Sequence, residues 1–163
     1  MTPTDDAPAP DAMSLSTRLE AAMRDAMRAR NQMRTQTLRM AMAAAHNQKI
    51  ARGRDLADDE VVEVLTKQVK QRRESIAMYR DAGREDRAAA EEAEAAILAE
   101  FLPEQLTETE VEDLARAAIA ETGATNPGDL GRVMGTLSQR TKGRADGRLV
   151  SDVVRRLLGG GGG

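Results

Sequence analysis

The run from Leu130 to Val150, LGRVMGTLSQRTKGRADGRLV, is where residue type and spacing first point to a ligand. Five cations, Arg132, Arg140, Lys142, Arg144 and Arg148, alternate with four glycines, Gly131, Gly135, Gly143 and Gly147, and only Asp146 opposes them. Cations neutralise phosphates, and glycines let a backbone approach a bulky polyanion, so the implied chemistry is electrostatic grip, with no bond made or broken. The five cations could line one edge around a turn, with the N-terminus of the following helix as an added anion-binding element. A structural alternative gives the glycines to helix closure and tight turns, and Lys142 and Arg144 to the capping of a helix C-terminus. One Phe, one Tyr and no Trp leave too few aromatic faces for stacking on unpaired bases. The expected target is therefore a folded RNA held by backbone and shape.

Signatures of catalysis are missing. Without cysteine the chain has no thiol nucleophile, disulfide or cysteine metal site, and a single histidine, His46, rules out a multi-histidine zinc set. His46 reads as a surface or helix-packing residue. Glu91, Glu92, Glu94, Glu108, Glu110 and Glu112 read as solvent-facing, with no pair spaced for acid–base work. Gly131 and Gly135 are not followed by the Lys-Ser/Thr pair of a phosphate loop, and no dinucleotide fingerprint or nucleophile elbow occurs. The expectation is no catalytic residue, no metal and no cofactor.

The elements that must position the basic run are helical. Twenty-eight alanines and apolar residues at helical spacing leave no strand signal. Ser14, or Thr17 with Glu20 as a capping box, starts a first helix with a stripe of Leu15, Leu19, Ala22, Met23 and Ala26. A second covers Met33 to Arg52 and stops at Gly53; a third starts at Asp58 and Asp59, carries Val62, Leu65, Val69, Ile76 and Tyr79, and closes at Gly83. A fourth runs from about Arg84 to Leu102. Pro103 then breaks the pattern, and Thr107 with Glu110 opens a fifth helix that ends at Gly123. A sixth starts near Pro127, RTKGRADG is a turn, and a seventh carries Leu149 to Leu158. Met23, Met27, Met33, Met40 and Met42 read as flexible core filler, with an adaptable groove as the other reading.

The expected architecture is all-α: an N-terminal assembly of long helices over residues 13–103 and a compact three-helix module over 104–158. Residues 1–12 are expected to be a disordered extension and 159–163 a flexible glycine tail. The net charge of −3 conceals segregation, with −3 over residues 1–13, +5 over 14–83, −9 over 84–122 and +4 over 123–163. Such blocks suggest separate surfaces. No run approaches the roughly 18 apolar residues of a membrane span. Residues 1–12 hold Pro and Asp where a signal peptide needs a basic start and an apolar core. A cytoplasmic protein without a membrane partner is expected.

The stretch GRVMGTLSQRTKGRADGRLVSDVVRRLL resembles the C-terminal module of the GatB/YqeY family. The likeness continues through LPEQLTETEVEDLARAAIAETGA, MYRDAGREDRAAAEEAEAAILAEFLP, VLTKQVKQRRESIAMYRDAGR and SLSTRLEAAMRDAMRARNQMRTQTLRM, so residues 13–158 resemble a free-standing YqeY-like protein. In the glutamine-dependent tRNA amidotransferase, the B subunit has a helical tail of this kind associated with the tRNA body. Its kinase and transamidation centre lies in a separate domain that nothing in this chain resembles. The resemblance implies Arg132, Lys142, Arg144 and Arg148 as tRNA contacts, with Gly131, Gly135, Gly143 and Gly147 giving close backbone approach. It also implies amidotransferase or aminoacyl-tRNA synthetase components as partners. The leading expectation is a non-catalytic tRNA-binding or amidotransferase-associated module. The alternatives are carbon–nitrogen ligase activity with glutamine as amido-N-donor, or an accessory role in it, and a helical protein-interaction adaptor.

Overall fold

The computed structural model describes residues 13–159. The expectations for residues 1–12 and for 160–163 lie outside the described residues, while Gly159 is the last residue of a helix. Among the described residues there are seven α-helices, a 3-10 turn and no strand: α1 (Leu15–Arg28), α2 (Gln32–Arg52), α3 (Asp58–Asp81), α4 (Glu85–Ala99), α5 (Glu108–Thr122), the turn at Pro127–Asp129, α6 (Leu130–Thr141) and α7 (Gly147–Gly159). They form two compact units, the first ending at Phe101 and the second starting at Leu102.

In the first unit, α1–α2 and α3–α4 are helical hairpins that pack through α2. Ser14, not Thr17, caps α1, accepting from the Thr17 amide at 3.2 Å, and the Asp58 carboxylate at the head of α3 accepts from the Leu15 amide at 3.0 Å. The α1–α2 turn places Arg30 at φ 55° and lets Asn31 cap α2. The left-handed Arg30 costs roughly 1 kcal/mol.

The buried stripe of α3 is Val61, Leu65, Val69 and Ile76, one residue out of the expected Val62 phase at its start. That phase also buries Arg72, whose side chain is 9% exposed. Its guanidinium pairs across the hairpin with Glu91 at 3.1 Å and with Glu94, two carboxylates one turn apart on α4. Glu91 and Glu94 are therefore not simply solvent-facing: the α3 phase turns them to a cation. The helix α4 stops at Ala99, short of Leu102, and Phe101 packs beyond it beneath the guanidinium groups of Arg18 and Arg34, each 6.0 Å from the ring centre.

Met27, Met33 and Met40 are 50%, 43% and 59% exposed, which corrects their reading as core filler. The core-facing side of α2 is taken by Thr37, Leu38 and Ala41; Met33 and Met40 lie beside that stripe, outside the buried set, and Met27 is near the end of α1.

The second unit is a three-helix cluster. Val111, Ala115 and Ala118 of α5 meet Val133 and Leu137 of α6 and Val150, Val153, Val154 and Leu158 of α7. Small apolar residues allow close helix approach, and the strong amphipathicity of α6 and α7 follows from their having one core and one solvent face. The expected Thr107–Glu110 capping box is present, with Glu110 accepting from the Thr107 amide at 2.8 Å and Thr107 from the Glu110 amide at 3.2 Å. No helix among the described residues is long and apolar enough to cross a membrane.

Two outcomes follow for the first unit. Replacing Arg72 with Ala leaves two inward-turned carboxylates without their cation. It should lower urea stability by about 2–4 kcal/mol, and Arg72→Met should recover part of the loss. The Glu60 carboxyl is held down from 4.5 to about 2, chiefly by the Arg54 guanidinium, with the Ala57 amide and Arg52 adding and burial opposing. A depressed carboxyl contributes stability above its unfolded pKa that is lost as pH falls. Stability measured by circular dichroism should therefore fall between about pH 4.5 and pH 2, and Glu60→Gln should remove that part of the acid dependence.

Candidate nucleic-acid interface

The turn between α6 and α7 is built from the backbone outward. Thr141 ends α6, its hydroxyl donating to the Leu137 carbonyl at 3.2 Å, and the Lys142 amide donates to the Ser138 carbonyl at 2.9 Å. Gly143 then turns the chain at φ 72°, a left-handed conformation that favours glycine, and it is buried. The amides of Arg144 and Ala145 both return to the Thr141 carbonyl, at 2.9 and 3.0 Å. Asp146 accepts from the Arg148 amide at 2.8 Å and so caps the start of α7. The one acid of the basic run thus occupies the helix N-terminus that the sequence offered as an anion site.

The turn is tied to the segment ahead of α5. The Leu106 amide donates to the Arg144 carbonyl at 2.7 Å, the Gln105 amide group to the Gly143 carbonyl at 2.9 Å, and Arg144 Nε to the Glu104 carbonyl at 3.2 Å. Arg144 is half-buried in this strap, and its side chain reaches Glu104, not the end of α6.

The other cations do not share one edge. Arg132 lies at the far end of α6, about 13 Å along the axis from Thr141 at 1.5 Å per residue. It is exposed and pairs with Asp129 at 3.0 Å. That carboxyl is held below its usual range first by the Thr125 amide and only afterwards by the Asn126 amide and Arg132, with burial opposing. Arg132 is therefore a minor partner of a turn that closes without it. Arg140 is held from α5, where Glu121 receives it through both oxygens at 2.9 and 3.0 Å. Lys142 and Arg148 are exposed, and the Arg148 side chain has no ion-pair partner among the described residues.

The glycines divide as sharply. Gly143 is required by its backbone angle. Gly131 and Gly135, one turn apart on α6, and Gly147, at the start of α7, are exposed with ordinary φ, and a Cβ on any of them would meet nothing within 4 Å. Each costs helix stability relative to alanine without a use inside this unit. From Leu102 to Gly159 there are eight Arg and Lys against nine Asp and Glu, so attraction to a polyanion must come from a local face.

Sequence reasoning missed Gln105, whose anchoring role has no local signature. It also missed Arg156, which joins α7 to Glu112 of α5 at 3.2 Å. Helical phase could have found Arg156, since it shares the α5-facing edge of α7. His46 is exposed, and no three acidic or histidine side chains among the described residues gather as a metal site requires.

Comparison with known proteins gives two findings. The family model of YqeY-like proteins matches residues 16–158. A protein of Pyrenophora tritici-repentis (strain Pt-1C-BFP), named altered inheritance of mitochondria protein 41, mitochondrial, is 31% identical over 147 residues, covering 87% of this chain and 80% of that protein.

The two kinds of glycine should respond oppositely to alanine. Gly143→Ala should lower the unfolding free energy by about 1–2 kcal/mol because of its left-handed angle. Gly131→Ala and Gly135→Ala should each raise it, by up to about 1 kcal/mol. Urea unfolding of the three variants checks this directly.

Proposed function

The chain belongs to the YqeY-like family, and on that premise we propose that its second unit grips the phosphate backbone of a folded RNA, tRNA foremost, without a reaction centre of its own. One observation carries this reading: Gly131 and Gly135 keep an exposed face of α6 bare at a cost in stability, on a helix that also carries Arg132 and leads into the exposed Lys142 and Arg148. A bare helix face lets backbone and ligand approach more closely than any side chain would permit. Cations at its ends fix the register of a phosphate chain lying across it. In this reading Arg132 exchanges Asp129 for phosphate at little cost to the turn, and Arg148 needs no exchange. Arg140 and Arg144 act as positioning residues, since Glu121 and the Glu104 carbonyl already hold them.

Association with a tRNA amidotransferase or an aminoacyl-tRNA synthetase belongs to the same proposal and rests on the resemblance of the second unit to the amidotransferase tail. A cytoplasmic place of action is part of the same proposal, while the Pyrenophora relative bears a mitochondrial name.

The test is fluorescence anisotropy of the full chain with unfractionated tRNA across a salt series. The double variant Arg132→Glu, Arg148→Glu should weaken binding about tenfold or more and lower the salt slope by about two. Gly131→Leu with Gly135→Leu should weaken binding while the helix content holds, and Arg116→Ala on α5 should change nothing. Unchanged affinity and slope in the first two variants overturns the reading. A partner captured in the presence of RNase, and lost with the same substitutions, would instead make this face a protein-docking surface.

A further inference from the structure

A groove of about 790 Å³ runs between α1 and α2 in the first unit. Its apolar lining comes from Leu19 and Met23, one turn apart on α1, and Met42 and Ala45 on α2, with Leu56 beyond. Two parallel rows of side chains at helical spacing make the ridges and hollow that receive a third helix. Methionines make such a surface adaptable, because the unbranched thioether repacks around different side chains.

Charge indicates what kind of helix fits. The 21 residues of α2 contain no Asp or Glu. Three of its four Arg and Lys are paired: Arg34 with Glu100 at 2.8 Å, Lys49 with Asp55 at 2.7 Å, and Arg52 with Glu60. Arg39, the fourth, and His46 have no ion-pair or hydrogen-bond partner among the described residues, and both line the groove. Glu20 and Asp55 also line the groove, but Arg24 holds the first at 3.5 Å and Lys49 the second, so among the lining residues Arg39 is the cation left uncompensated, on one wall of an apolar trough. A second copy of α2 would bring like charge to that wall and is disfavoured.

We propose that the α1–α2 groove docks an acidic amphipathic helix of a partner protein, its apolar stripe seated on Met23 and Met42 and its carboxylates facing Arg39 and His46. This surface lies wholly in the first unit and does not depend on the RNA reading of the second.

The probe is a labelled designed peptide of about 20 residues, the length of α2, with Leu at heptad a and d positions and Glu at the flanking positions. Anisotropy with the full chain should show saturable binding. A Lys-for-Glu version and a scrambled version should bind about tenfold more weakly or worse. Met42→Glu and the exposed-site variant Ala43→Glu should each cost about tenfold with helix content retained by circular dichroism. Arg39→Glu should shift preference toward the Lys peptide, a reversal that loss of folding cannot produce. Arg132→Glu should leave peptide binding untouched. The proposal is overturned if both charge versions bind alike, or if Ala43→Glu leaves the affinity unchanged. It is equally overturned if tRNA competes the peptide away, or if sedimentation shows a dimer of the chain that Met42→Glu abolishes.

Discussion

The candidate interface depends on a three-bond strap. Gly143 turns left-handed, and the carbonyls of Gly143 and Arg144 that this turn exposes would be costly to bury unpaired. The segment ahead of α5 supplies the donors: the Gln105 side chain and the Leu106 amide. Arg144 returns the favour by donating to the Glu104 carbonyl. Once closed, the strap fixes where α6 ends and where α7 begins, and with them the positions of Lys142 and Arg148. The basic run is therefore two things at once. Its centre, Gly143 to Asp146, is structural, and the flanking Lys142 and Arg148 are exposed.

The first unit meets a different constraint. Its core has one aromatic ring, Phe101, and is otherwise aliphatic and alanine-rich. Such a core lets helices approach closely but specifies register poorly, because alanine and valine at adjacent turns are nearly interchangeable. Polar contacts at defined positions supply what is missing. Arg72 with Glu91 and Glu94 sets one register for α3 against α4, and Asp58 on the Leu15 amide sets where α1 begins relative to α3. A largely buried ion pair adds little net stability against an apolar replacement, and its worth lies in making the wrong registers costly.

Legibility in the sequence followed the range of the interaction concerned. Helix ends governed by local rules were readable: Gly53 and Gly123 end their helices at φ 68°, and Thr107 with Glu110 forms its box. Phase was less secure. Val61 and Val62 are chemically alike, and only the packing partner decides which turns inward; that choice then carries Arg72 into the core and draws Glu91 and Glu94 after it. Met33 and Met40 were misread for a related reason, since α2 carries apolar residues beyond its buried stripe and composition cannot say which face is covered. In the basic run, residue types announced a cationic surface, but the acids that engage Arg132 and Arg140 lie in other elements. Asp129 belongs to the preceding turn and Glu121 to α5, 19 residues away from Arg140.

In the proposed reading of the second unit, the bare glycine face weighs more than the charges. Surface cations occur on solvated helices of every kind, and here most of them have an acid at hand, so their number alone argues little. Gly131 and Gly135 are harder to account for within the unit. Neither needs a positive φ, neither lies against a neighbour that would exclude a Cβ, and alanine would support α6 better at both positions. On the proposed reading, a helix that forgoes this stabilisation twice in one turn, on its solvent face, leaves room for a ligand that comes nearer than a methyl group allows. On the proposed reading phosphate backbone fits because it is broad, charged and recognised without side-chain pockets, and because Arg132 and Arg148 are the cations of the basic run least committed elsewhere.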